Sequence, residues 1–202
     1  MILTKLLNNY LFNNIEIKMK KLAKFFPYAH NTFKFLGLKD LIYDKNLPPI
    51  IHIIDNLYLG DFRAADDLNI LKQNKITHIL NCAFNLPNKF PNDLIYKRLD
   101  LRDEPDQKII EQMKEAYKYI KENSDKNIFV HCVFGKSRSA SVIIFYIMNE
   151  HKIDFNSAKD IVKAKRNIVN PNIGFQNQLN SYYEECIVPL KNNLNLEYNK
   201  NN

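Results

Sequence analysis

Residues 131–139 read HCVFGKSRS. An ionised thiol at Cys132 is a nucleophile, and the guanidinium of Arg138, six positions later, can hold two oxygens of a tetrahedral oxyanion. Between them lie Val133, Phe134, Gly135, Lys136 and Ser137. The chain has only four glycines, where average usage near 7% would supply roughly 14 in a chain of this length. The one at Gly135 therefore marks a bend that the backbone requires. If a strand ends at Cys132 and a helix opens at Arg138, the unpaired N–H groups and helix dipole between them make an anion site. The same positive potential lowers a thiol pKa from about 8.5 to roughly 3.5 to 7.5. One loop thus binds phosphate and ionises its nucleophile, and the sulfur alone suffices to attack phosphorus.

The flanking sequence supplies those elements. "NIFVHC" reads as a buried strand, and "RSASVIIFYIMNEH" as the helix that follows the loop. Upstream, "IIHIIDNLYLG" reads as an extended pair ending at Gly60, "AADDLNILKQN" as a helix, and "ITHILNC" and "LIYKRLDL" as strands. Residues 107–123 carry a helical pattern through Ile109, Ile110, Met113, Tyr117 and Ile120, and further helices are expected over 137–151, 155–166 and 173–185. Strands alternating with helices predict a single α/β domain, with a mostly parallel sheet of about five strands flanked by helices. In such a sheet ligands bind where the strands end, which is where Cys132 falls.

His-Cys-x5-Arg-Ser, here HCVFGKSRS, resembles the signature of the cysteine-dependent protein phosphatases, and the Ser137-Arg138-Ser139 ending resembles their dual-specificity group. "IIDNLYLGDFRAADDLNILKQNKITHILNCA" is similar to the opening strands and first helix of that family, and "KRNIVNPNIGFQNQL" to its closing segment. The resemblance covers about residues 50–187 and implies the protein tyrosine phosphatase-like fold. It implies a phosphocysteine intermediate on Cys132, with Arg138 and the backbone of residues 133–138 holding the phosphoryl oxygens. Ser139 would donate a hydrogen bond to the sulfur, and a helix-start capping role is compatible with that.

A departing ester oxygen needs a proton, hence a general acid on a loop over the site. "YKRLDLRDEPDQK" offers Asp100, Asp103 and Asp106. By register from Tyr96 the resemblance places the acid at Asp103, 29 residues before Cys132 (132 − 103). Asp100 and Asp106 stay open as alternatives, Asp106 also as an N-cap of the helix that follows, and Pro105 would stiffen the loop. His131 should face the other side of its strand and order the loop without transferring protons. Lys136 reads as surface charge. Asn172, Gly174, Phe175 and Gln178 read as a structural brace beneath the loop that does not touch substrate. Cys82 reads first as a packed thiol, with a protective disulfide to Cys132 under oxidation as the alternative.

Residues 1–48 read differently. Three short amphipathic pieces, rich in lysine at positions 18, 20, 21 and 24, end at Pro48-Pro49. This basic, partly helical extension reads mainly as a solvated face packed on the domain, with peripheral membrane contact or an acidic partner groove as lesser readings. The catalytic domain would span 49–187, followed by a disordered, asparagine-rich tail over 188–202. No apolar run approaches the ~20 residues needed to span a bilayer, no signal-peptide pattern is seen, and Ile2 excludes N-terminal myristoylation. Three cysteines without paired or zinc-type spacing suit a reducing compartment, so a soluble cytoplasmic protein, also compatible with the nucleus, is expected without metal or cofactor. The net charge of +7 favours acidic partners. The expected substrates are phosphotyrosine and phosphoserine or phosphothreonine in proteins, with mitogen-activated kinases among the partners the resemblance implies and no nucleic acid expected. The alternatives are a phosphoinositide or RNA 5′-phosphatase of the same mechanism, and a phosphate-binding module without turnover.

Overall fold

The computed structural model describes residues 46–84 and 86–191. The backbone divides into two compact units, Met1–Pro48 and Pro49–Asn202. The helical pieces expected over 1–45 and the tail from residue 192 lie outside the described residues.

The second unit is built on five strands: β1 (Ile50–Ile54), β2 (Leu57–Gly60), β3 (His78–Asn81), β4 (Ile95–Arg98) and β5 (Ile128–His131), in the order β1-β2-β5-β3-β4. β1 and β2 form an antiparallel hairpin turned at Asp55, and every other pairing is parallel. Register aligns Gly60, His131, Asn81 and Arg98 in one row across the four parallel strands. The residues that follow, Asp61, Cys132, Cys82 and Leu99, therefore all leave the sheet at the same edge. The loops that carry candidate chemistry converge there because their strands end together.

Helices cover both faces. Helix α4 (Arg138–His151) follows the loop after β5, packs on β5 and β2, and is buried on every residue from Arg138 to Met148. A helix apolar around most of its circumference is a core helix, and α4 is enclosed by α3 (Ile110–Glu122) and α5 (Phe155–Lys165). On the opposite face α1 (Phe62–Ala65) and α2 (Leu68–Gln73) bury Ala64, Ala65 and Leu71 with Ile79 and Phe129. Alternation along β5 thus sends Phe129 toward α1 and α2, and His131 stacks on it with centroids 5.3 Å apart.

Three expectations need correction. The single helix over 64–74 is two, because Asp61 and Asp67 each cap a new N-terminus, accepting from Arg63 N–H and from Asn69 and Ile70 N–H. Asp106 caps nothing: α3 begins after Ile109, whose N–H is taken by the Gln178 side-chain oxygen at 2.9 Å. Finally, residues 188–191 are not tail. After α6 (Ile173–Tyr182) the chain widens into a π turn over Tyr183–Ile187 and stays helical through Lys191. The Val188 N–H reaches back five residues to the Tyr183 carbonyl. That wider turn immediately precedes Pro189, whose ring would crowd the carbonyl four residues back in a regular helix. Ile187, fully buried, anchors the segment.

Candidate active site

The nucleophile candidate is surrounded by donors. Cys132 is buried, and its Sγ accepts the Gly135 N–H at 3.3 Å and the Ser139 hydroxyl at 3.1 Å. Gly135 has φ of +63°, and a Cβ there would lie 2.5 Å from the Gly60 carbonyl oxygen. Both facts require glycine, which answers why one of so few stands here.

The loop's carbonyls show why its N–H groups face inward. The Val133 carbonyl accepts from Phe62 N–H at 3.2 Å, and that of Lys136 from Asn170 N–H at 2.9 Å. Those of Phe134 and Gly135 accept from the Arg166 guanidinium at 3.0 and 3.1 Å. Because a planar trans peptide points its C=O and N–H in opposite directions, four carbonyls held outward leave the N–H groups of residues 134–137 on the inner side. Arg166 is itself fully buried and is neutralised by the buried Asp61 carboxylate at 3.0 Å, which also pairs with Arg63.

Arg138 completes the cradle. Its Nη1 donates to the Leu101 carbonyl at 3.3 Å, while its buried Nε has no hydrogen-bond partner and lies 3.6 Å from Asp103 Oδ2. Asp103 Oδ1 accepts the Ser137 hydroxyl at 2.6 Å and the Asn172 amide at 2.9 Å. Of the three aspartates, only this one meets the loop. Asp100 pairs with Arg98 at 2.5 Å, and Asp106 is exposed. The loop bearing Asp103 is held down by helix α6: a Cβ on Gly174 would lie 1.7 Å from the Pro105 carbonyl oxygen, so only glycine permits that approach.

The electrostatics separate the thiols. Burial pushes the Cys132 thiol up, but the Arg138 guanidinium and the hydrogen bonds from Ser139 outweigh it and hold its pKa below the ordinary value. Cys82 begins the neighbouring loop one register step away, yet burial and the adjacent Cys132 push its pKa well above normal. Cys82 is fully buried. His131 is lowered to about 4 by burial, against a weaker upward pull from its contact with the Cys132 carbonyl, and is a neutral ring at physiological pH.

The structure therefore brings together Cys132, residues 133–138, Ser139 and Asp103, and places His131 behind the strand. Lys136 is exposed. Asn172 caps α6 through the Phe175 N–H at 3.0 Å and also reaches Asp103 directly at 2.9 Å. Sequence reasoning did not single out Arg166 or Asp61. Nothing local marks Arg166, which stands between Lys165 and Asn167.

A strand-loop-helix anion cradle with a cationically stabilised thiolate at its floor and a carboxyl above it defines the class of cysteine-dependent phosphate-ester sites. The family model described as dual specificity phosphatase, catalytic domain, matches residues 57–185. The chain belongs to that family. It is 36% identical over 138 residues to dual specificity protein phosphatase 1 of Arabidopsis thaliana, covering 67% of this chain and 69% of that one. It is 36% identical over 128 residues to dual specificity protein phosphatase 19 of Mus musculus, covering 62% and 58%. To protein-tyrosine-phosphatase MKP1 of Arabidopsis thaliana it is 40% identical over 130 residues, 63% of this chain and 17% of that one. The last two matches span less than two thirds of the relatives' own length. Among solved structures, DUSP15 is similar with a TM-score of 0.65 at 32% identity, covering 72% of this chain and 94% of that one. Human DUSP28 is similar with a TM-score of 0.64 at 26% identity, covering 68% and 94%.

Proposed function

We propose that this chain is a protein phosphatase that hydrolyses phosphotyrosine and phosphoserine or phosphothreonine through a phosphocysteine intermediate. One observation carries the reading: Cys132 Sγ is hydrogen-bonded by a loop N–H and by Ser139 while Arg138 and Asp103 face the same cradle. The Cys132 thiolate attacks phosphorus as the ester P–O bond breaks, and the Asp103 carboxylic acid gives its proton to the departing oxygen. The inward N–H groups and Arg138 hold the three equatorial phosphoryl oxygens as charge spreads over them. Water then attacks phosphorus, Asp103 takes its proton, and the S–P bond breaks with the Ser139 hydroxyl stabilising the released thiolate.

The Asp103 carboxylate, about 37% exposed in its side chain, lies at the surface, which supports a site open to ester groups of different length. The partners in this proposal are phosphorylated proteins, with mitogen-activated kinases the first class to test. Three free cysteines support a reducing location, cytoplasmic or nuclear.

The test is hydrolysis of p-nitrophenyl phosphate in excess EDTA, with the unmodified chain beside Cys132→Ser. EDTA-resistant turnover that disappears in the serine variant supports the proposal. No turnover by freshly reduced, folded protein would overturn it in favour of a phosphate-binding module.

A further inference from the structure

Three of the large apolar side chains exposed among the described residues flank the cradle. Phe84 is 49% exposed, Phe134 40% and Ile173 62%. Phe134 belongs to the cradle itself, and Ile173 follows Asn172, which holds Asp103. Phe84 is tied to the site through a shared acceptor: its N–H donates to the Leu101 carbonyl at 3.1 Å, the same oxygen that takes Arg138 Nη1. Its own carbonyl accepts from Arg98 at 3.3 Å, and Arg98 also bonds the carbonyls of Ala83 and Leu86. The ring is thus presented from a clamped backbone.

Arg102 lies over that ring, its Cζ 5.0 Å from the centroid. It directly precedes Asp103 and is exposed, with its backbone N–H taken by the Gln107 side chain. Its charge is unspent. Arg63 and Arg166 pair with Asp61, Arg98 with Asp100 and Arg138 with Asp103, whereas Arg102 has no carboxylate partner among the described residues. A guanidinium held over an aromatic ring, next in sequence to the general acid and without a carboxylate partner among the described residues, is available to a planar anion.

We infer that Phe84 and Arg102 form a substrate-reading wall, selecting phosphorylated polypeptide segments that carry a glutamate or aspartate close to the phosphoresidue. The inference rests on the phosphatase reading above and names what that site prefers. The Phe84 ring packs against the phosphoresidue's own side chain or its apolar neighbour, with Phe134 and Ile173 continuing the apolar rim. Arg102 takes the carboxylate through its two-pronged fork. A carboxylate suits it better than a second phosphate, because the wall offers one guanidinium and no converging N–H nest like that of residues 134–137.

The test uses phosphotyrosine peptides in which glutamate or glutamine is placed in turn at each of the three positions on either side of the phosphoresidue. For each protein, kcat/KM on peptide is divided by kcat/KM on p-nitrophenyl phosphate, so general damage cancels. The unmodified chain is expected to favour glutamate over glutamine about three- to tenfold at one or two positions. Arg102→Gln should bring that ratio to about one, Arg102→Lys should keep part of it, and Phe84→Ala should lower turnover of every peptide while weakening the charge preference. A ratio near one in the unmodified chain, or one that survives Arg102→Gln, overturns the inference while p-nitrophenyl phosphate turnover leaves the phosphatase reading intact. A larger gain from a second phosphoresidue than from glutamate overturns the carboxylate assignment. Higher kcat/KM on phosphoinositide vesicles than on the best peptide overturns the polypeptide assignment. Inactivity on p-nitrophenyl phosphate sinks both readings together.

Discussion

The Ser137 hydroxyl donates to Asp103 across 2.6 Å, joining the last residue of the phosphate loop to the loop that carries the acid. Ser137 Oγ in turn accepts the Asn172 N–H at 3.0 Å, and the Asn172 side chain donates to the same Asp103 oxygen. The carboxyl is positioned by two neutral donors that stand just before the helices α4 and α6, with the Arg138 Nε nearby.

Asp103→Asn should therefore separate leaving groups. Turnover of phenyl phosphate or phosphoserine peptide, whose leaving oxygens need a proton, is expected to fall about 100- to 10,000-fold. Turnover of p-nitrophenyl phosphate should fall much less. Equal losses on all substrates would show that Asp103 acts on something other than the leaving oxygen.

Ser139→Ala removes a donor that favours the thiolate. The acidic limb of kcat/KM, which rises as Cys132 ionises, should move to higher pH. The shift expected is about one unit for each 1.4 kcal/mol the bond contributed. Because the hydroxyl also stabilises the departing sulfur, the phosphoenzyme should accumulate, seen as a burst of p-nitrophenol in stopped-flow traces. An unmoved limb without a burst would reduce Ser139 to a packing role.

Arg166 and Asp61 are a buried ion pair, so removing either leaves the other's charge less well compensated, Asp61 keeping Arg63 and Arg166 keeping its carbonyl acceptors. Arg166→Met and Asp61→Asn should each cost about 3 to 5 kcal/mol by urea unfolding, and the double variant clearly less than the sum. Arg166→Met should also depress kcat in the protein that remains folded, since the Phe134 and Gly135 carbonyls lose their shared donor. Strict additivity would argue that the two charges do not interact.

His131 makes stability depend on pH. Its folded pKa, lowered to about 4, lies below the ordinary value near 6.5, so between these values the unfolded chain binds more protons. The stability associated with the neutral ring is complete above pH 6.5 and is lost as pH falls toward 4, by about 3 kcal/mol in all. A His131→Gln variant, compared by urea unfolding at pH 7 and 4.5, should show a shallower fall. An unchanged slope would place the acid sensitivity elsewhere.

The strands and helices were legible because their periods are local properties. "NIFVHC" and "RSASVIIFYIMNEH" appear within a residue of where β5 and α4 form. Breaks were harder to read. Asp66 and Asp67 fall inside the one helix expected there, but Asp67 is a cap, and whether an aspartate caps or decorates a helix depends on the chain direction around it. Asp106 failed as a cap for a longer-range reason: Gln178, about seventy residues away, supplies the acceptor.

By itself the sequence marked the candidate reactive set, because Cys132, Gly135, Arg138 and Ser139 lie on one strand-loop-helix whose geometry follows from local spacing. Asp103 could be placed by register and resemblance, but three nearby aspartates are chemically alike. Only the tertiary structure tells them apart in position: Asp103 is the one met by Ser137, Asn172 and Arg138, which arrive from elements distant in sequence. It alone also disclosed Arg166, because holding carbonyls outward depends on where a buried guanidinium meets the loop in space. Charge and period are written along the chain; which donor meets which acceptor is decided when the strands align and their ends converge.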